Sequence, residues 1–232
     1  MSSLPAAHPF RKHSDNLKAV SAGLTQAERA HKMAIRRGDI PATDFASRMH
    51  QLMIGLLAEA HLRKIISDPG GFNPKERKLL SRERTQLDRW LRAVELAFRR
   101  HYSVPLHLEI AVSTTATGVP TQYGTIANLL RNDLNTVIQD RNKLAHAQWK
   151  WSLNNGETSF TGTADPPLNY LASRRRGIVI SHLAEIIQAL VVSEPTFRRD
   201  YERLYNAITT AQACIDGTDY PEFARSLQSR RR

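Results

Sequence analysis

Apolar residues recur every three or four positions along most of this chain, the period of helices that bury one face. The first run, 14–37, has a weak apolar face; Ser14 or Asp15 caps it and Gly38 stops it. Residues 42–67 carry a stronger stripe through Phe45, Met49, Leu52, Met53, Leu56, Leu57 and Ala60, closed by Asp68-Pro69-Gly70-Gly71. Asn73 caps a third helix with Pro74 in its first position, and Leu80, Leu87, Leu91, Val94 and Phe98 carry it to about Tyr102. Its opposite face is heavily charged and reads as solvent-exposed. Residues 103–120, with two prolines and several threonines, predict a connection with a short strand at 106–112.

A helix follows over 121–147. The period then changes to two: Trp149, Trp151 and Leu153 alternate with Lys150 and Ser152, which predicts a strand. Asn155-Gly156 is a two-residue hairpin turn, and that register sets Trp151 opposite Phe160 in a hairpin over 148–162. Residues 168–193 are apolar on most sides from Ile178 onward, so this helix should run through the centre. After Pro195 a last long helix presents Phe197, Tyr201, Leu204, Ile208, Ala211 and Ile215 as a packing seam. The expected fold is all-α, an antiparallel helical bundle with a small β-hairpin inserted after the 121–147 helix. Residues 1–13 read as a flexible arm, 14–216 as one helical domain and 217–232 as a mobile basic tail ending in Arg230-Arg231-Arg232.

Charge narrows the partner. The formal net charge is +11 over 232 residues, which favours a polyanion, nucleic acid ahead of an acidic membrane. One cysteine, Cys214, excludes an intrachain disulfide and fits a reducing compartment. The first residues hold no apolar signal segment, and no apolar run is long enough to span a bilayer, so the expected location is the cytoplasm, off the membrane.

The candidate chemistry lies in Asp140-Arg141-Asn142-Lys143-Leu144-Ala145-His146. On a helix, Leu130, Leu134, Val137, Ile138 and Ala145 form one apolar stripe, and Arg141 falls inside it. A guanidinium on a packed face needs an anion or several acceptors. Asn128, Asn135, Asn142 and His146 form a polar flank beside the stripe, with Asp133 and Asp140 turned away. Such a groove has no acid of its own and suits a phosphate. On one helix Arg141 and His146 diverge by roughly 140°. Two copies packed along the stripe would bring one chain's arginine to the other's histidine, which predicts a homodimer with a composite site.

Arginine, a polar residue, then histidine after three more positions resembles the ribonuclease motif of the HEPN superfamily. The resemblance implies catalytic or RNA-contacting roles for Arg141, Asn142 and His146, and makes a toxin–antitoxin or phage-defence setting plausible, with an antitoxin or regulatory protein as a second partner. It implies a metal-independent endoribonuclease without cofactor. The RNA 2′-hydroxyl attacks the phosphate, a histidine moves protons, and an arginine fork stabilises the phosphorane. The products are a 2′,3′-cyclic phosphate (or 3′-phosphate) and a 5′-hydroxyl, and DNA resists because it lacks the nucleophile. The alternative is a catalytically silent HEPN-like module that binds RNA, a nucleotide or a protein. A plain structural reading of the two residues also stands: Arg141 serves helix-end carbonyls and His146 favours the helix dipole.

Asn135, Arg131, Lys143, Lys150 and the run Arg174-Arg175-Arg176 are the further RNA-binding candidates; a solvated charge cluster is the other reading of these cations. Trp149 and Trp151 read first as hairpin packing, with base stacking as the other use of such rings. His50 and His61 lie about 16 Å apart on one helix, too far to share a metal. His101 and His107 lack ligand-spaced neighbours, so no metal site is expected.

Overall fold

The structure, a computed structural model, describes residue 5 and residues 7–154, 158–214 and 219–229. The expected Asn155-Gly156 turn, Ile215, the 216–217 domain boundary and Arg230-Arg231-Arg232 lie outside the described residues.

The chain is an all-α bundle carrying one two-stranded antiparallel hairpin. Helices α1 (Pro9–Arg37) and α2 (Ile40–Ser67) form a long antiparallel pair. Gly38, at φ 70°, ends α1, and the Asp39 side chain accepts from Ala42 N at 3.0 Å to start α2. Helix α1 begins earlier than expected. His8 Nδ1 accepts from Phe10 N at 3.2 Å and Pro9 opens the first turn, so the end of the anticipated arm, from Pro9 to His13, is helical.

Beyond α2, α3 (Pro74–Leu80) starts with a reciprocal capping box between Asn73 and Glu76. It stops at Ser81, and α4 (Gln86–His101) restarts where the Thr85 hydroxyl accepts from Asp88 N at 3.0 Å. The single helix expected over 74–102 is therefore two. Residues 106–112 form turns rather than the expected strand. Helix α5 (Val119–Leu129) continues through a π turn at Leu130–Leu134 into α6 (Asn135–Ala145).

Strands β1 (Trp151–Leu153) and β2 (Phe160–Thr163) pair so that Leu153 faces Phe160 and Trp151 faces Thr163. The connecting loop is longer than two residues. Asn154 N donates to Ser159 O at 3.0 Å, and its side-chain oxygen accepts from Thr158 N at 2.8 Å. Trp151 is thus diagonal to Phe160, not opposite, though the rings still meet edge to face at 6.5 Å.

Helix α7 (Tyr170–Val192), capped by Asn169, is the central element, and it packs along α8 (Glu194–Ala213). Val179, Ile180, Leu183, Ile186, Ile187, Leu190 and Val191 are buried together with the α8 seam from Phe197 to Ala211. Residues of α2, α4, α5 and α6 join the same apolar cluster. The segment anticipated as a mobile tail contains α9 (Tyr220–Ser229), which lies on α1. Phe223 stacks on Tyr170 at 5.3 Å, and Gln228 donates to the Ile35 carbonyl at 3.2 Å. Among the described residues no helix is long and apolar enough to cross a membrane.

Candidate functional site

Helix α6 packs on α2, and Arg141 stands at the crossing. A Cβ on Gly55 would come within 2.6 Å of Arg141 Cγ, so the arginine stem lies directly on the bare backbone of α2. One turn further along α2, Glu59 accepts a hydrogen bond from Arg141 Nη2. Arg141 Nη1 donates to Asn142 Oδ1 at 3.0 Å, and Nε is buried without a partner. The arginine on the packed face has found its anion, and that anion is Glu59. Arg63 also binds this carboxylate, donating from Nη2 at 2.6 Å. Partial burial opposes ionisation of Glu59, but the hydrogen bonds and charges of Arg63 and Arg141 outweigh it and hold the carboxyl below its ordinary range. The groove is therefore not free of acids, as the helix read alone implied; its acid comes from a neighbouring helix.

Arg141 opens into a cleft of about 660 Å³ between α2, the start of α4 and α6. Arg63, Arg84 and Arg89 line it with Arg141, against the carboxylates Glu59 and Asp88, so positive charge is in excess. Asn135, Gln139 and Asn142 supply amides. Asn128 is exposed and lines neither this cleft nor the next. The π turn between Asn128 and Asn135 takes up an extra residue, so the seven-residue spacing no longer keeps them on one face. Ala145 is likewise exposed, and Leu144 takes the buried place.

His146 is exposed and ends α6. The chain then reverses through a Schellman turn: Gln148 N donates to Lys143 O at 2.9 Å and Ala147 N to Leu144 O at 3.3 Å. Ala147 sits at φ 58°, a left-handed position that favours glycine. His146 faces a second cleft of about 330 Å³, bounded by α6 on one side and by Gln148, Leu153 and Asn154 of the hairpin on the other. Gln139 and Asn142 line both clefts. Within one chain the arginine and histidine thus open into adjoining clefts that share two amides.

The remaining candidates divide. Lys143 lines the His146 cleft and pairs with Asp165 at 3.1 Å. Lys150 and Arg131 are exposed and line neither cleft. Arg174 is exposed, while its neighbours are held in ion pairs: Arg175 with Asp219 at 2.7 Å and with the Cys214 carbonyl, Arg176 with Asp140 at 2.7 Å. Burial raises the Asp140 pKa despite the nearby Arg176. Of the run Arg174-Arg175-Arg176, two guanidiniums are thus paired with acids of the same chain. Arg63, Arg84 and Arg89 went unnoticed in the sequence, because a charged helix face reads as solvent-facing. The signal for Arg84 was Thr85 three residues ahead of Asp88, which marks the helix start that turns this arginine into the cleft.

The other histidines are mostly structural. His31 and His50 are fully buried between α1, α2 and α7, their Nδ1 atoms 3.4 Å apart, with Tyr170 edge-on to His31 at 5.4 Å. Burial lowers both pKa values to about 4. Among the described residues no group of three or more His, Cys, Asp or Glu side chains is placed to hold a metal.

No family model, no curated protein and no solved structure matches this chain. The class that fold and site define is an all-α protein with a cationic cleft beside a histidine-bearing helix end.

Proposed function

We propose that the protein is a metal-independent endoribonuclease that cleaves RNA by 2′-hydroxyl attack, with Arg141, Asn142 and His146 at its centre. The observation that carries this reading is the pair of adjoining clefts, one holding Arg141 amid further arginines and the other holding His146, joined through Asn142 and Gln139. The RNA backbone lies in the cationic cleft. Arg141 stabilises the charge that develops on the phosphorane, and Asn142 orients a phosphate oxygen. His146, open to solvent, exchanges protons with the 2′-oxygen or the leaving 5′-oxygen. The arginine and histidine of one chain point into different clefts, so the complete site is composite, built across a homodimer. A toxin or defence role, with an antitoxin as partner and a cytoplasmic location, belongs to the same proposal.

A second reading, a catalytically silent RNA-, nucleotide- or protein-binding module, is favoured by one observation. Glu59 already occupies Arg141, so an incoming phosphate meets a guanidinium that is partly neutralised.

The discriminating experiment assays RNA and DNA cleavage with a chelator present. The nuclease reading expects wild type to cut RNA alone, and Arg141→Ala and His146→Ala to be inactive. RNA binding without turnover, unchanged by His146→Ala, selects the silent module. Mixing the two inactive variants restores activity if sites are shared across a dimer; no recovery refutes the composite site.

A further inference from the structure

The two tryptophans that follow the motif have separate fates. Trp149 is built into the fold: its indole N–H donates to the Leu144 carbonyl at 3.0 Å, its ring meets Phe45 at 5.9 Å, and the Arg48 guanidinium lies 6.0 Å from it. Trp151, two residues on, is 50% exposed, and Phe160 on the facing strand is 71% exposed. Between Trp151 and Leu153, Ser152 is buried, so strand alternation turns Trp151 to the outer face. There it meets Phe160 edge to face. Two large rings held in water by a short hairpin gain nothing for the core.

The position of the hairpin gives these rings a use. Its root is fixed, because Trp149 anchors it and Gln148 Oε1 accepts from Leu153 N at 3.0 Å. Leu153 and Asn154, at the far end of β1, wall the cleft that holds His146. Lys143 lines that cleft, and exposed Lys150 precedes β1. An exposed aromatic pair on the hairpin whose β1 end walls a cleft lined by Lys143 and His146 is an arrangement suited to unpaired nucleic acid. Bases stack on the rings while the backbone follows the charge.

We infer that Trp151 and Phe160 form a stacking platform for unpaired nucleobases and deliver single-stranded RNA to the His146 cleft. The inference names the substrate class of the RNA site proposed above and rests on that proposal. Inside a duplex both faces of each base are covered by its stacked neighbours, so the platform distinguishes single strands from helices.

The test uses the full chain and a single-stranded RNA oligomer with 2′-O-methyl sugars, which removes the nucleophile and separates binding from cleavage. A blunt duplex of the same sequence serves as control, at fixed salt, with affinity read by fluorescence anisotropy. Trp151→Ala should weaken single-strand binding roughly 5- to 100-fold and leave duplex binding unchanged. Phe160→Ala should do the same to a smaller extent, and Trp151→Phe should restore most of the loss. Far-UV circular dichroism checks that the variants keep the wild-type fold. Single-strand affinity unaffected by both alanine variants, an equal loss on single strand and duplex, or no single-strand binding by wild type overturns the platform. The nuclease reading stands or falls separately: loss of cleavage in His146→Ala with full binding in Trp151→Ala sinks the platform alone. A binding loss in Trp151→Ala by a protein that never cuts RNA upholds the platform and sinks the nuclease.

Discussion

Two faces of α2 place polar groups inside the bundle and handle them in opposite ways. Toward α6, a charge is kept and paired: Glu59 holds the Arg141 guanidinium over bare Gly55. Toward α1 and α7, charge is given up: His50 lies beside His31 and Tyr170 with burial lowering both histidine pKa values to about 4. A paired ion stays available to an external phosphate, because one anion can replace another. A neutral buried imidazole pair offers a ligand nothing and only makes the fold sensitive to acid. The first face keeps an ionised group at the edge of a cleft, and the second is packing.

The largest expected effect lies on the histidine face. The folded state refuses protons that the unfolded chain accepts, so stability is complete above the ordinary histidine value of 6.5 and falls as pH drops toward about 4. Each histidine adds up to about 1.4 kcal/mol per pH unit across that window. His61, also lowered to about 4 by burial, steepens the loss. Urea unfolding between pH 7.5 and 4 measures the slope, and His50→Gln should flatten it without abolishing it. A slope unchanged in that variant means the pair is not the acid-sensitive element.

On the other face, Gly55→Ala drives a methyl group into the Arg141 stem and should cost about 1–3 kcal/mol. Chemical denaturation measures it, and a neutral substitution would mean that α2 and α6 do not approach so closely. Glu59→Gln keeps the shape but removes the counter-charge from a half-buried guanidinium, at about 1–2 kcal/mol of stability. RNA affinity should rise in the same variant, because phosphate no longer competes with a carboxylate. Unchanged affinity would mean that Arg141 does not receive the phosphate.

The smallest effect concerns the edge on which His146 hangs. Ala147→Gly relieves the left-handed backbone and should raise stability by about 1 kcal/mol, read as a higher melting temperature.

How much of this was legible depended on whether a feature is local. The stripes of α7 and α8 follow from spacing alone, and the structure buries them as read. Of the α2 stripe only Leu57 and Ala60 are buried while Phe45 is exposed, because α2 packs on three helices and turns the face with Ile54, Ala58, Leu62 and Ile65 into the core. The start of α1 was missed because a histidine caps it, and the break before α4 was missed because the leucines keep helical spacing across it. Helix α9 was hidden because its partners, Tyr170 and Ile35, lie far away in the chain. The hairpin register slipped because Asn154 binds Thr158 and Ser159 and enlarges the loop. At the site, helical phase placed Arg141 on a packed face correctly. No pattern within α6 could name Glu59 or Gly55, since both belong to α2 and meet Arg141 only through packing. The π turn, which removes Asn128 from the flank, leaves no plain signature in residue type.

The most direct test of the central claim is analysis of the RNA ends left after incubation with the purified protein and a chelator. The account predicts 2′,3′-cyclic phosphate (or 3′-phosphate) and 5′-hydroxyl ends, absent when His146→Ala replaces wild type. Fragments with 5′-phosphate and 3′-hydroxyl ends, or identical ends and yields from the variant, would contradict it.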